Sequence, residues 1–239
     1  MTRDRLVTPV PFSLGTTAPR TALPAAACDC HVHVYDQRFP VAPGARLLPP
    51  DASASDYRAL QQRLGTERTV LVTPSTYGSD NRCMLQGLAA LGTQARGVAV
   101  IDGSESDAQL QALHDGGVRG VRLNLSLGVT GSVDSILPLA QRIAPWGWHL
   151  QLLMASDVLA TLGDVLRSVS VPLVFDHLGR IAPEQAGKHP AHALLLQLMG
   201  EGRAWVKLSG GYIVSATHAV DDPALDALAV SYLLSLIHI

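Results

Sequence analysis

The chain has 239 residues and a formal net charge of −2, from 18 Lys+Arg against 20 Asp+Glu, so it lacks the bulk positive charge on which nucleic-acid binding relies. At 47% hydrophobic and 16% charged residues it can fill a sizeable core, and no polar tract marks it as disordered. It has no run near the roughly 18–20 apolar residues of a spanning helix, no apolar leader segment in residues 1–27, and no CxxC pair among Cys28, Cys30 and Cys83, which together predict a soluble cytoplasmic protein without membrane partner, disulfide framework or thiolate zinc site.

Residues 1–27, with Pro9, Pro11, Pro19 and Pro24, carry no periodicity and are expected to form an extended arm. From Cys28 onward β-branched runs alternate with segments of helical period. A first strand over 30–35 is followed by a second over 69–73, and Asp80 or Asn81 then opens a helix carrying Met84, Leu85, Leu88 and Leu91 before Gly92. The strand over 97–101 precedes a helix over 104–114, with Ser104 as its cap, Leu110 and Leu113 as its buried stripe and Gly116 as its stop. A strand over 120–123, a helix over 133–144, a strand over 148–153, a helix over 157–168 and a strand over 171–175 continue the pattern. Pro190 starts a further helix, a seventh strand covers 204–208, and a last helix covers 223–229. The tail over 230–239 has no turn, cap or alternation, and is expected to be non-native.

Strands alternating with helices predict βαβ units and a parallel α/β sheet, because parallel neighbours need a crossover connection. A doubly wound nucleotide-binding sheet would want a glycine-rich turn after the first strand, where this chain has His31-Val-His33. The expected fold is therefore a TIM (β/α)8 barrel over residues 28–229, incomplete because seven strands are read and the eighth is missing or replaced.

Barrel enzymes place their chemistry at the carboxyl ends of the strands. His31 and His33, two apart on the first strand, point to one side and can meet one ion or one carbonyl. His177 follows the sixth strand at the same rim, and Asp176 alternates away from it as a structural or orienting group. Arg122 and Asn124 share a side of the fourth strand. A buried-strand arginine needs an anion, which is either a substrate carboxylate or a neighbouring Asp or Glu. Ser75 and Tyr77, in the hydroxyl-rich run after the second strand, are candidates to hold substrate oxygens, and the Gly210-Gly211 turn after Lys207 and Ser209 lets a ligand approach the backbone. His114, His149, His189 and His192 are read as structural.

The segments Cys28-Asp-Cys-His-Val-His33, 73–81, Gly117-Val-Arg-Gly-Val-Arg-Leu-Asn124, Val174-Phe-Asp-His-Leu-Gly-Arg180 and Trp205-Val-Lys-Leu-Ser-Gly210 together resemble the amidohydrolase superfamily. Within it they are similar to the lactonase-like group, over residues 27–229. The resemblance implies that His31, His33 and His177 face a lactone carbonyl, with either no cofactor or one divalent cation such as zinc. The lack of a lysine beside Arg122 and Asn124 sets it apart from members with a carbamylated-lysine bridge. The group's general base is an aspartate in a Trp-Gly-Ser-Asp-Trp-Pro-like segment, absent here, and Asp221, Asp222 and Asp226 do not replace it. Pyrone-dicarboxylate enzymes of the group carry a tyrosine at the place of Leu153, another near Leu47 and an arginine at the place of Gly128, so a lactone less acidic than pyrone dicarboxylate, or one held differently, is expected.

The implied activity is hydrolysis of a lactone of a small carboxylic or sugar acid, by water attack on a histidine-polarised carbonyl. The chain as given is expected to lack turnover for want of the base. A decarboxylase of the same superfamily and a non-catalytic barrel fragment are the alternatives.

Overall fold

The computed structural model describes residues 15–45, 47, 49–126, 131–219 and 222–235. Residues 1–14 of the expected arm, Gly128, Asp221 and residues 236–239 of the expected tail lie outside them. The described part of the arm, residues 15–26, is exposed and forms neither helix nor strand.

Two compact units divide the chain, one within Met1–Gly120 and the other within Val121–Ile239. The first contains β1 (Cys28–Val32), α1 (Ala54–Leu64), β2 (Arg68–Val72), α2 (Arg82–Leu91), β3 (Ala95–Ala99) and α3 (Asp107–Asp115). Strand β4 (Val118–Asn124) begins in the first unit and ends in the second. The second continues with α4 (Ile136–Ile143), β5 (His149–Leu153), α5 (Ser156–Ala160), α6 (Gly163–Ser168) and β6 (Leu173–Phe175). It ends with α7 (Pro190–Gly200), β7 (Ala204–Val206), α8 (Gly211–Val214) and α9 (Pro223–Leu234). Strand order in the sheet follows chain order, and β1–β2, β2–β3, β5–β6 and β6–β7 are all parallel pairs. The seven described strands with helical crossovers are the incomplete (β/α)8 barrel that the alternation predicts. No helix among the described residues is long and apolar enough to cross a membrane.

In the first unit Leu71, Val72 and Val98 of the strands, Met84 and Leu88 of α2 and Leu110 of α3 are all buried. Gly97 lets α2 approach β3, since a Cβ there would lie 2.7 Å from Leu88 Cδ1 and 2.8 Å from Met84 Sδ. Gly97→Ala overpacks this layer and should lower the unfolding free energy by about 1–3 kcal/mol. An unchanged midpoint in urea would show that α2 yields without cost.

Local hydrogen bonding moves several expected boundaries. Ser106, not Ser104, caps α3, because Ser106 and Gln109 form a reciprocal capping box while the Ser104 amide donates to Asp102. The single helix expected over 157–168 is two helices, α5 and α6, and the Thr161 hydroxyl donates to the Val158 carbonyl where α5 stops. Asn81 occupies the N-cap position of α2 without a side-chain cap bond. Its Oδ1 instead accepts from Thr73 Oγ1 at 2.8 Å and Val100 N at 2.9 Å, tying the segments that follow β2 and β3.

Helix α9 continues past Ala229 to Leu234, into the segment expected to be non-native, and buries Tyr232. Ser231 of the same helix accepts from His192 Nε2 at 2.9 Å and donates to Leu228 O, while the Gly187 amide donates to His192 Nδ1. That set of partners suits a neutral ring, and burial holds the His192 pKa below its ordinary value. The unfolded chain therefore binds this proton first as pH falls, so the stabilisation is present above about pH 6.5 and is lost on acidification towards the depressed folded value. His192→Gln should flatten the slope of unfolding free energy against pH below neutrality. A slope identical to that of the parent would remove His192 from the account.

Candidate functional site

In the first unit the site grows from an irregular β1. Asp29 pairs with Thr69 but Val32 with Leu71, so three steps on β1 face two on β2. A bulge of this kind re-aims the side chains it carries. The amide of His31 donates to Asp29 Oδ1 at 3.2 Å, and Asp29 Oδ2 accepts from the Tyr57 hydroxyl of α1 at 3.3 Å. Asp29 thus holds the displaced backbone, a role that strand alternation alone does not reveal.

His31 and His33 converge as their spacing predicts. Their Nε2 atoms lie 3.4 Å apart, with the rings nearly perpendicular at 87°. His33 Nδ1 is 2.8 Å from the Val72 carbonyl at the end of β2. A carbonyl only accepts, so Nδ1 carries the proton and a neutral His33 presents its Nε2 lone pair towards His31. Tyr77 is buried, and its hydroxyl accepts from the Asp36 amide at 2.8 Å and donates to the Asp36 carbonyl at 3.1 Å. The hydroxyl thereby fastens the segment after β1 to the one after β2. Ser75 is half-buried two residues before it.

In the second unit, Arg122 of β4, Gln151 of β5, and the residues that directly follow β6 and β7, Asp176 and Lys207, form one polar cluster. The buried Asp176 carboxylate accepts from Arg122 Nε at 3.1 Å and Gln151 Nε2 at 3.0 Å. Lys207 Nζ lies 3.4 Å from Asp176 Oδ1 and donates to Gln151 Oε1 at 2.7 Å. Of the two anions weighed for Arg122, the structure supplies the protein's own. Gln151 and Lys207 belong to this network, and only period-2 alternation along β5 and across the end of β7 could have singled them out. Asn124 is buried at the end of β4, with Oδ1 accepting from the Ser126 amide at 3.1 Å.

His177 follows Asp176 in a left-handed turn, with φ of 51° at His177, 56° at Leu178 and 59° at Arg180. Side-chain sterics disfavour that region, so its use by three non-glycine residues marks a segment fixed by its surroundings. The Leu178 amide donates to Lys207 O at 2.9 Å, and His177 Nδ1 is 3.1 Å from Ser209 Oγ. The structure therefore places His177 at the end of β6 and in contact with the segment following β7.

The amidohydrolase family model matches residues 28–235, and the chain belongs to that family. A 2-pyrone-4,6-dicarboxylate hydrolase of Comamonas testosteroni is 38% identical over 196 residues, covering 80% of this chain and 64% of the relative. A D-galactarolactone isomerase of Agrobacterium fabrum is 29% identical over 201 residues, covering 83% of this chain and 69% of that protein. A crystal structure from Agrobacterium tumefaciens superposes with a TM-score of 0.83 at 26% identity, covering 91% of this chain and 80% of the other. The chain thus spans 64% of the length of the Comamonas hydrolase it matches.

Proposed function

We propose that the chain forms the carbonyl-activating part of a hydrolase that opens the lactone of a small carboxylic or sugar acid, with His31, His33 and His177 acting on the ester carbonyl. The observation that carries the reading is the pair of imidazoles whose Nε2 atoms meet at 3.4 Å, one of them locked by a backbone carbonyl. In the barrel reading His177 joins them, because it too ends a strand. The names of the hydrolase and isomerase relatives supply the substrate class, a lactone or cyclic ester.

The spacing of the His31 and His33 nitrogens suits two ligands of one divalent cation. Two nitrogens held at the roughly 2.0–2.1 Å typical of tetrahedral zinc lie about 3.3–3.4 Å apart, and ligating histidines usually donate their other N–H to a protein oxygen. His31 and His33 would hold the ion with His177 as a third ligand, and the ion would supply Lewis acidity at the carbonyl. Without it, a protonated imidazole donates from Nε2 to the carbonyl oxygen as negative charge develops there. His33 keeps its Nδ1–H on Val72 O in either state. Asn124 and Ser75 orient the ring substituents, and Arg122, held at Nε by Asp176, directs its terminal nitrogens to a carboxylate.

The test joins the chain to the C-terminal segment of the Comamonas relative and follows protons in a pH-stat across sugar-acid and pyrone lactones. Opening a lactone releases acid, decarboxylation consumes protons and isomerisation does neither. Acid release supports the proposal; a folded fusion that releases none from any lactone ends it.

A further inference from the structure

We propose that Ser209 is a positioning residue for His177: its hydroxyl oxygen accepts a hydrogen bond from Nδ1–H, so that Nε2 is the atom presented for chemistry. The inference rests on the reading that His177 belongs to the site. Three contacts make the segment after β7 a cradle for this ring. Ser209 Oγ lies 3.1 Å from Nδ1, and Lys207 O takes the amide that follows the histidine. Gly210 closes the third side, since a Cβ there would lie 2.8 Å from His177 Nδ1 and 3.0 Å from Cγ. Its φ of +65° is a conformation that glycine adopts without strain, and the missing side chain lets the backbone lie against the imidazole.

The direction of the hydrogen bond follows from what His177 has to do. A hydroxyl can give or take, whereas the Val72 carbonyl on His33 can only take. With Ser209 as acceptor, the neutral ring offers an Nε2 lone pair to a cation, and the protonated ring offers Nε2–H to an oxyanion. With Ser209 as donor, Nδ1 must be bare, and both forms are disfavoured. An acceptor at Nδ1 therefore gives His177 the same orientation of function that Val72 gives His33. Neutral imidazole in water prefers its proton on Nε2, so the reverse tautomer needs a partner, and Ser209 is placed to be it.

The experiment labels the histidine rings with 15N and assigns His177 in the chelator-treated chain at about pH 8, where an ordinary imidazole is neutral. Protonated and bare ring nitrogens differ widely in 15N shift. The expected spectrum has the His177 proton on Nδ1 in the parent and in Ser209→Thr, and moved to Nε2 in Ser209→Ala. A parent ring protonated on Nε2 overturns the proposal, as does a Ser209→Ala spectrum identical to the parent's. The parent measurement needs no variant to fold. No substrate is present, so the result is independent of lactone hydrolysis, and failure of the fusion to release acid would leave the tautomer assignment standing.

Discussion

Asp176→Ala is expected to lower the unfolding free energy by about 3–5 kcal/mol, the usual consequence of removing one partner of a buried ion pair. The Asp176 side chain is 0% exposed and that of Arg122 only 5%. Alanine leaves the guanidinium in a low-dielectric interior without its carboxylate, and deprives Gln151 Nε2 of its acceptor. Lys207, 3.4 Å from the lost oxygen, keeps its bond to Gln151 and adds a second positive charge to the same space. Asp176→Asn keeps an acceptor in place and should lose less, which separates the hydrogen-bond part of the effect from the charge part. Urea unfolding of the three proteins measures this. A loss under about 1 kcal/mol in the alanine variant, the range of ordinary surface substitutions, would show that water reaches Arg122 and relieves it.

That cluster also shows where the sequence is informative. Alternation along β4 places Arg122 and Asn124 on one side, and the cost of burying arginine demands an anion, but which anion depends on a residue 54 positions away. The same limit applies to Asp176. Strand period separates it from His177, whereas its service to Arg122, Gln151 and Lys207 depends on the register of neighbouring strands. The seven strands are legible because β-branched runs bounded by caps and glycines are local signals. His31 of β1 and His33 just after it are legible because a spacing of two survives even a bulge. Asp29 is missed because a bulge is a property of pairing: only against β2 does the extra residue exist. The tie that Tyr77 makes is hidden for a related reason. A hydroxyl in a polar loop reads as a ligand group, and its bonds to the amide and carbonyl of Asp36, 41 residues earlier, leave no trace in the local pattern. The end of α9 goes beyond its sequence signal because Tyr232 is buried by tertiary packing that no local pattern announces.

The largest functional effect is expected at the histidines. If the proposed lactone opening holds, His31→Ala and His177→Ala should each reduce kcat/KM by about 100-fold or more, the scale for removing a group that stabilises a developing oxyanion. The loss should fall on kcat, because the carbonyl carries more negative charge in the transition state than in the bound lactone, and a contact that strengthens along that path lowers the barrier without tightening the ground state. His33→Ala adds a second injury, since it also empties the place beside the Val72 carbonyl, and is therefore the less clean probe. Ser75→Ala makes a useful contrast. If Ser75 orients ring substituents, its loss should appear mainly in KM, with a smaller change in kcat. His31→Ala and His177→Ala are also expected to unfold near the parent's midpoint, because both histidines are half-buried and neither contributes to the apolar layers. Rates within a few-fold of the parent in both variants would return these residues to a structural role. Loss in one variant and not the other would confine carbonyl activation to a single strand end, and would contradict a carbonyl shared between the His31–His33 pair and the histidine that follows β6.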